Sequence, residues 1–203
     1  MLIQGQVTNN VPANRASGNP NALVLQLGEL GVSEVLPRLM ALGWSGQIYS
    51  AANQAAQAVS AALATTYTGI GIYNPVGSGV NLVPLRVKFA LSVAPAAPAT
   101  IGLIGSYAAT GGVTAQTTKL VPQNGIVGNT ATGKAIPLAA ATITTPTWIE
   151  HLVDGFTAAA LPSPAPTSIL DGSILIAPGG FLAVGALTAI TGLGSIYWAE
   201  IPV

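Results

Sequence analysis

The stretch that decides the fold runs from Thr68 to Ala94 and reads TGIGIYNPVGSGVNLVPLRVKFALSVA. Its middle, Asn74 to Gly79, combines an Asn-Pro pair, which initiates turns, with two glycines, which accept the positive φ angles of a chain reversal. After this turn the apolar side chains fall on every second position: Val83, Leu85, Val87, Phe89, Leu91 and Val93. The polar side chains fall on the other parity: Arg86, Lys88 and Ser92. A period of two indicates a strand with one buried face, so the stretch predicts a β-hairpin in an all-β fold.

The composition favours a protein that works in an assembly. Half of the 203 residues are hydrophobic and 6% are charged, against roughly 25% in an ordinary soluble domain. The formal net charge is zero, and a surface with so little charge promotes association. We therefore expect partner subunits to cover much of the surface. The neutral balance predicts no nucleic-acid partner, since phosphate binding needs a basic footprint.

The sequence predicts neither a membrane span nor a secretory signal. The run from Gly172 to Ala199 is uncharged, but Pro178 and repeated glycines break it into strand-like pieces. The first residues lack the basic and apolar regions of a signal peptide. Because the chain has no cysteine, disulfides and thiolate metal sites are excluded.

Residues 1–50 are predicted to form an N-terminal arm with short strands, and residues 51–203 a jelly-roll-like β domain. Residues 1–21 are rich in Asn, Gly, Pro and Ser and predict little regular structure. Glycines divide residues 22–35 into two short strands, one helical turn follows Pro37, and a strand runs through Tyr49. Residues 51–64, rich in Ala and Gln, are predicted to be a loop or a short helix.

Short strand-like segments separated by turn residues fill the rest of the chain. They are residues 100–108, 113–121, 134–144, 147–153, 173–177, 181–187 and 195–201. Asp154-Gly155 and Asp171-Gly172 are interpreted as hairpin turns. This spacing predicts an antiparallel β-sandwich of jelly-roll type, without the helix–strand alternation of a parallel sheet.

One motif has the spacing of a phosphate-binding loop, Gly128 to Gly133 followed by Lys134. Ala135 stands where a Ser or Thr would hold magnesium. Pro137 follows within three residues of the lysine and blocks the helix whose N-terminus would face the phosphates. We interpret the motif as a flexible glycine loop and predict no nucleotide or other cofactor.

No catalytic or metal-binding residues are predicted. His151 is the single histidine, and a triad with Asp154 and a serine lacks the Gly-x-Ser-x-Gly elbow of many hydrolases. Glu150 and Asp154 would lie ~13 Å apart on a strand, too far for a glycosidase pair. The remaining carboxylates are scattered singly, so we predict neither a metal site nor an enzyme. His151 is interpreted as a strand residue at a sheet face or interface.

Two features bear on what the surface binds. The aromatic residues Trp44, Trp148, Trp198, Tyr49, Tyr67, Tyr73, Tyr107 and Tyr197 would serve either a carbohydrate platform or packing. We favour packing in a core or interface, because aromatic residues are only 5% of the chain. No charged residue lies between Arg38 and Arg86, so this tract is the predicted partner-facing surface.

Three parts of the chain carry a family resemblance. They are Tyr73 to Leu82, Gly28 to Leu30 with Gly46 to Ala52, and the ending Trp198 to Val203. From about Gly28 onward the chain resembles tailed-bacteriophage virion structural proteins of the capsid decoration, or cement, type, most specifically in the Asn-Pro-x-Gly-Ser-Gly-x-Asn corner. The resemblance implies a jelly-roll-like, trimeric β protein, made in the host cytoplasm and bound to the major capsid protein on the virion surface. It implies no catalytic residues.

These observations together predict a structural virion protein that binds the capsid exterior and stabilises the shell. The charge-free tract would then face the capsid or another subunit. The alternative is a receptor- or glycan-binding β module of a head fibre or of the tail.

Overall fold

The computed structural model describes residues 23–24, 30–31, 39–106, 111–156 and 165–203. The chain divides into two compact units, Met1–Ala41 and Leu42–Val203. The predicted arm over residues 1–21 lies outside the described residues, as does most of the proline-rich connection at 161–167.

The first unit contains the two short strands that the glycines predict. Strand β1 (Leu23–Val24) pairs antiparallel with β2 (Leu30–Gly31), which confirms the prediction for residues 22–35. Helix α1 (Met40–Trp44) begins three residues after Pro37 and confirms the helical turn expected there.

The second unit is an antiparallel β-sandwich. Its strands are β3 (Ile48–Ala52), β4 (Gln57–Val59), β5 (Thr66–Tyr73), β6 (Val80–Leu91), β7 (Ala99–Gly105), β8 (Val113–Lys119), β9 (Gln123–Asn124), β10 (Ile136–Ile143), β11 (Thr147–Phe156), β12 (Thr167–Ile169), β13 (Phe181–Ala186) and β14 (Ile190–Pro202). The front sheet has the order β12-β6-β14-β3-β9, with β4 also paired to β14. The back sheet has the order β11-β7-β13-β5-β10-β8. Neighbouring strands are antiparallel throughout, which confirms the predicted fold class.

The corner from Asn74 to Gly79 joins the two sheets and not two paired strands. Strand β5 lies in the back sheet and β6 in the front sheet, so the predicted hairpin is wrong. Both edges of β5 are already occupied, by β10 on one side and β13 on the other. Gly77 and Gly79 have positive φ angles, 76° and 73°, as the turn chemistry predicts. The Asn74 side-chain amide donates to the carbonyl oxygens of Val80 and Ile176, each at 2.8 Å, and so fixes the crossing.

Strand β6 changes its buried parity at a β-bulge. Arg86 pairs with Tyr197 and Pro84 pairs with Trp198, so Leu85 is the extra residue. After the bulge the buried positions are Leu85, Val87 and Phe89, and before it they are Val80, Leu82 and Pro84. The single buried parity predicted from the sequence therefore holds for the second half of the strand only, since the bulge moves the first half by one residue.

The main hydrophobic core lies between the sheets. Its largest fully buried side chains include Trp198 and Phe89 from the front sheet, and Ile72, Leu103 and Leu182 from the back sheet. Fully burying one large apolar side chain contributes about 1.5–3 kcal/mol. This layer is therefore the principal source of stability.

The central strands of the back sheet are buried on their second face as well. A second cluster of buried residues, including Tyr67, Tyr73 and Phe181, lies on the side away from the main core. The Trp148 ring lies 3.2 Å from where a Cβ on Gly185 would be, and the Tyr67 hydroxyphenyl group lies over Gly69. Aromatic rings thus cover a face that glycine leaves flat.

Residues 51–64 contain the end of β3, the short strand β4 and loop, so the loop prediction holds in part and no helix forms there. Strand β3 ends at Ala52, and β4 pairs with β14 between Ile190 and Gly192. The Gln57 side-chain amide donates to the Ala139 carbonyl oxygen at 2.7 Å and holds β4 against the back sheet. Long-range pairing therefore overrides the helical propensity of the Ala- and Gln-rich segment. The domain boundary predicted between residues 50 and 51 falls inside β3.

The region before β13 also differs from the prediction. Residues 173–177 make a single β-bridge, between Ile176 and Leu82, and do not form a strand. Residues 173–177 approach the edge of β6 that also pairs with β12. The sequence did not predict strand β12. Asp154-Gly155 lies inside β11. Asp171-Gly172 forms a turn with φ angles of 40° and 88°, but not the predicted hairpin, because β12 before it and Ile176 after it pair with the same strand, β6.

The sheet edges are short or irregular. In the front sheet the edge strands β12 and β9 have three and two residues. In the back sheet the edge strands β11 and β8 both contain register shifts. Such edges resist strand-to-strand pairing with other chains, so an association surface is better sought on a sheet face.

Candidate interaction surface

The outer surface of the front sheet carries two rows of solvent-accessible side chains, which we call the front face. Cross-strand register defines the first row as Ile169, Arg86, Tyr197 and Ser50. It defines the second row as Thr167, Lys88, Ser195 and Ala52. All eight residues are exposed or half-buried, and Ile169 is 71% exposed. Apart from the two cations, Ile169 and Tyr197, the side chains of these rows are small: Ser50, Ala52, Thr167 and Ser195.

Two cations dominate the front face. The Arg86 guanidinium lies 4.4 Å from the centroid of the Tyr197 ring, a cation–π contact that restricts its orientation. Lys88 is two residues further along β6, which places the two Cα atoms roughly 7 Å apart on the same face. The bulge at Leu85 decides that both point outward, because it sets the parity of this half of the strand.

The Glu200 carboxylate is bonded inside the sandwich and is not available to these cations. Glu200 is 6% exposed and accepts hydrogen bonds from the backbone amides of Lys134 and Ala135, at 2.8 and 2.9 Å. Its Oε1 also accepts from the Trp198 indole at 3.2 Å. Burial, together with the charge of Glu200, raises the pKa of Tyr49. Glu200 is thus an internal structural anion, which the sequence analysis did not single out.

The end of the motif from Gly128 to Lys134 binds the Glu200 carboxylate. The amides that follow Gly133 point at the Glu200 carboxylate, and a Cβ on Gly133 would collide with that carboxylate. No helix follows the motif; Ile136 begins β10. The loop therefore binds a carboxylate of its own chain through backbone amides, where a phosphate-binding loop would hold a nucleotide.

His151, Glu150 and Ser168 lie at one edge of the sandwich without forming a triad. The His151 ring stacks on Trp148 with 5.1 Å between centroids, and it is exposed on the edge strand β11. The Ser168 hydroxyl donates to Glu150 Oε2 at 2.9 Å and so links β12 to β11 across the two sheets. The side chain of Asp154 lies outside the described residues. Among the described residues no group of three His, Cys, Asp or Glu side chains could hold a metal ion.

Most of the described aromatic residues serve the packing role that we favoured. Trp198, Tyr67 and Tyr73 are buried, and Tyr49 stacks on Trp198 with centroids 6.0 Å apart. Trp44 is 74% exposed at the end of α1, close in sequence to Gly46. Tyr197 is half-buried under Arg86, and Tyr107 lies outside the described residues.

The charge-free tract between Arg38 and Arg86 is buried mainly over β5, and most of its other residues are exposed or half-buried. Strand β5 occupies its middle, and residues 69–73 of that strand are all buried. Burial between two other strands explains the absence of charge in β5. The rest of the tract reaches the surface, and its role as a partner-facing surface stays a prediction. Its contribution to the front face is Ser50 and Ala52 on β3.

A cavity of ≈ 270 Å³ opens near the start of β13. Its walls are apolar side chains, among them Ile149, Ile174, Leu175 and Phe181, with Ser106 as a polar neighbour. Ionisable side chains do not line it. It can accept an apolar group but offers no acid, base or charged ligand for chemistry.

Comparisons with protein families, with curated proteins and with solved structures find no match for this chain. Within the described part of the chain, no helix is long and apolar enough to cross a membrane. The run from Gly172 to Ala199, which resembles a span by hydropathy, contains β13 and most of β14.

Proposed function

We propose that this chain is a structural virion protein that binds the exterior of a tailed-phage capsid and stabilises the shell. The observation that carries the proposal is the front face, an accessible sheet surface on a sandwich whose edges resist pairing. The low charge of the sequence and the family resemblance of the Asn74 to Gly79 corner support the same function. In this role the protein is not an enzyme and its main partner is the major capsid protein.

Because a capsid presents many identical sites, weak individual contacts between this protein and the shell would be sufficient for stable attachment. Each copy would bury a front face against the capsid, and a trimer would present three such faces to a symmetric site. Linked contacts raise the overall affinity far above that of one contact, because the later ones form at high effective concentration. Bridging neighbouring capsid subunits would oppose their separation and so stabilise the shell.

A receptor- or glycan-binding module is less well supported. A sugar would stack on an exposed aromatic ring, but on the front face the accessible side of Tyr197 is covered by Arg86. Trp44 is a single exposed ring and not a platform.

The experiment is to add purified protein to phage shells that lack it. We expect the protein to sediment with the shells at a saturable copy number fixed by capsid symmetry, and to raise the temperature at which they disrupt. Failure to bind, or binding at only a few copies near the tail, would contradict the proposal. A glycan array run in parallel would reveal the alternative.

A further inference from the structure

The front face carries the positive charge of two exposed side chains, Arg86 and Lys88. Two of the described carboxylates, those of Glu150 and Glu200, are hydrogen-bonded to groups away from these cations. Glu200 is buried and bonded to backbone amides, and Glu150 is bonded to Ser168. In a chain of zero net charge with six basic residues, two of them project side by side from one accessible surface.

The geometry of the two cations specifies what they bind. The Arg86 guanidinium lies over the Tyr197 ring and the residue is exposed, so its N–H groups can make paired hydrogen bonds to one carboxylate. Lys88 offers a point charge roughly 7 Å further along the strand. Carboxylates on alternate residues of an extended segment have the same spacing and face the same way. Ser195 and Thr167 flank Lys88 and can bond to the backbone of such a segment.

We infer that the front face binds an extended acidic segment of its partner, with carboxylates on alternate residues that pair with Arg86 and Lys88. This inference rests on the proposed function, in which the partner is a capsid subunit. A polyphosphate backbone is a poorer match, since two cations are too few for the many phosphate contacts that nucleic-acid binding uses.

The charge on each front-face cation is removed in turn, by Arg86→Gln and Lys88→Gln. Lys119→Gln is the matched control, because Lys119 is an exposed lysine on β8 at the edge of the back sheet. We expect each front-face variant to weaken binding to shells by about tenfold at low salt, and the double variant by more, as for lost charge-assisted hydrogen bonds. The control should bind as the wild type does. Binding of the wild type should weaken with salt more steeply than binding of the double variant.

Arg86→Lys separates the paired hydrogen bonds from the charge. It should recover only part of the binding lost in Arg86→Gln, because a lysine cannot bond one carboxylate through two parallel N–H groups. Circular dichroism and thermal melts check the fold of each variant. Should Arg86→Gln disturb the sheet, Lys88→Gln gives the same information, since Lys88 is an exposed cation on the same face.

A second probe needs no shell. A short peptide that alternates threonine and glutamate should shift the backbone amide resonances of the front face, and its threonine–glutamine counterpart should not. Wild-type binding to shells with no difference among the variants would overturn the inference and leave the proposed function intact. Peptide binding without shell binding would retain the inference and overturn the proposed function. Tighter binding to duplex DNA than to the acidic peptide, lost in Arg86→Gln, would overturn the inference in favour of a polyphosphate partner.

Discussion

The Glu200 carboxylate ties the loop before β10 to the last strand, and its removal should cost several kcal/mol. It accepts from two backbone amides and one indole, and it is 6% exposed. A hydrogen bond to a charged group contributes about 1.5–3 kcal/mol, and a buried donor left unpaired costs a similar amount. Glu200→Ala removes all three acceptor contacts, so we expect about 3–5 kcal/mol less free energy of unfolding. Against a total of about 5–15 kcal/mol, this is a large fraction.

Glu200→Gln should be milder for a geometric reason. The remaining oxygen can still accept from Ala135 and Trp198, which both bond to Oε1, but the new NH₂ group would face the Lys134 amide. One charge-assisted hydrogen bond is lost, and the N–H donors of the new side-chain amide and of Lys134 face each other. We therefore expect about 1.5–3 kcal/mol of destabilisation.

Urea unfolding followed by tryptophan fluorescence measures both effects, since Trp198 is buried beside the carboxylate. Glu150→Gln is the control: Glu150 is exposed and accepts one bond, from Ser168, so it should change the stability by less than about 1 kcal/mol. A Glu200→Ala protein within 1 kcal/mol of the wild type would refute the structural role of this anion. Equal effects of Glu200→Gln and Glu150→Gln would refute the hydrogen-bond account.

Three further changes test the corner and the back sheet by urea unfolding. Asn74→Ala should cost about 1–3 kcal/mol, because it removes both donors from the Val80 and Ile176 carbonyl oxygens; a change below 0.5 kcal/mol would contradict this. Gly69→Ala should cost at least about 2 kcal/mol, since Gly69 has φ 136° and lies under the Tyr67 ring. Gly77→Ala, with φ 76° and open space around it, should cost about 1 kcal/mol, and equal costs would argue against the ring contact. Burial raises the pKa of Tyr67, so its neutral form stabilises the fold fully below about pH 10 and this contribution is lost as pH rises further. Tyr67→Phe should therefore flatten the alkaline decline in stability between pH 9 and 11, and an unchanged decline would contradict the assignment.

Turns and short local elements could be predicted from the sequence, because they depend on residues that are neighbours along the chain. The positive φ angles of Gly77 and Gly79 and the Asp171-Gly172 turn follow from residue type alone. The two short strands around Gly28 and the helical turn after Pro37 follow in the same way. The all-β class follows from many such turns between short apolar segments.

The pairing of strands that are distant in the sequence could not be predicted from local residue patterns. The sequence from Asn74 to Gly79 is typical of a hairpin turn. It contains no information on the distant strands β10 and β13, which occupy both edges of β5. The bulge at Leu85 is set by register against Tyr197 and Trp198, more than a hundred residues away. Glu200 and its amide donors are separated by 65 and 66 positions, so no local motif joins them.

The two halves of the stretch from Thr68 to Ala94 nevertheless differ in a way that identifies the accessible sheet. In β5 glycine alternates with isoleucine, at Gly69, Ile70, Gly71 and Ile72, so one face has large side chains and the other has none. A strand face without side chains exposes backbone unless something covers it, and here the Tyr67 ring does so. In β6, past the bulge, the alternation is apolar with charged, at Arg86 and Lys88, which needs water or a partner on the polar side. Alternating glycine therefore indicates a covered face and alternating charge an accessible one, and that distinction supports the front sheet as the proposed binding surface.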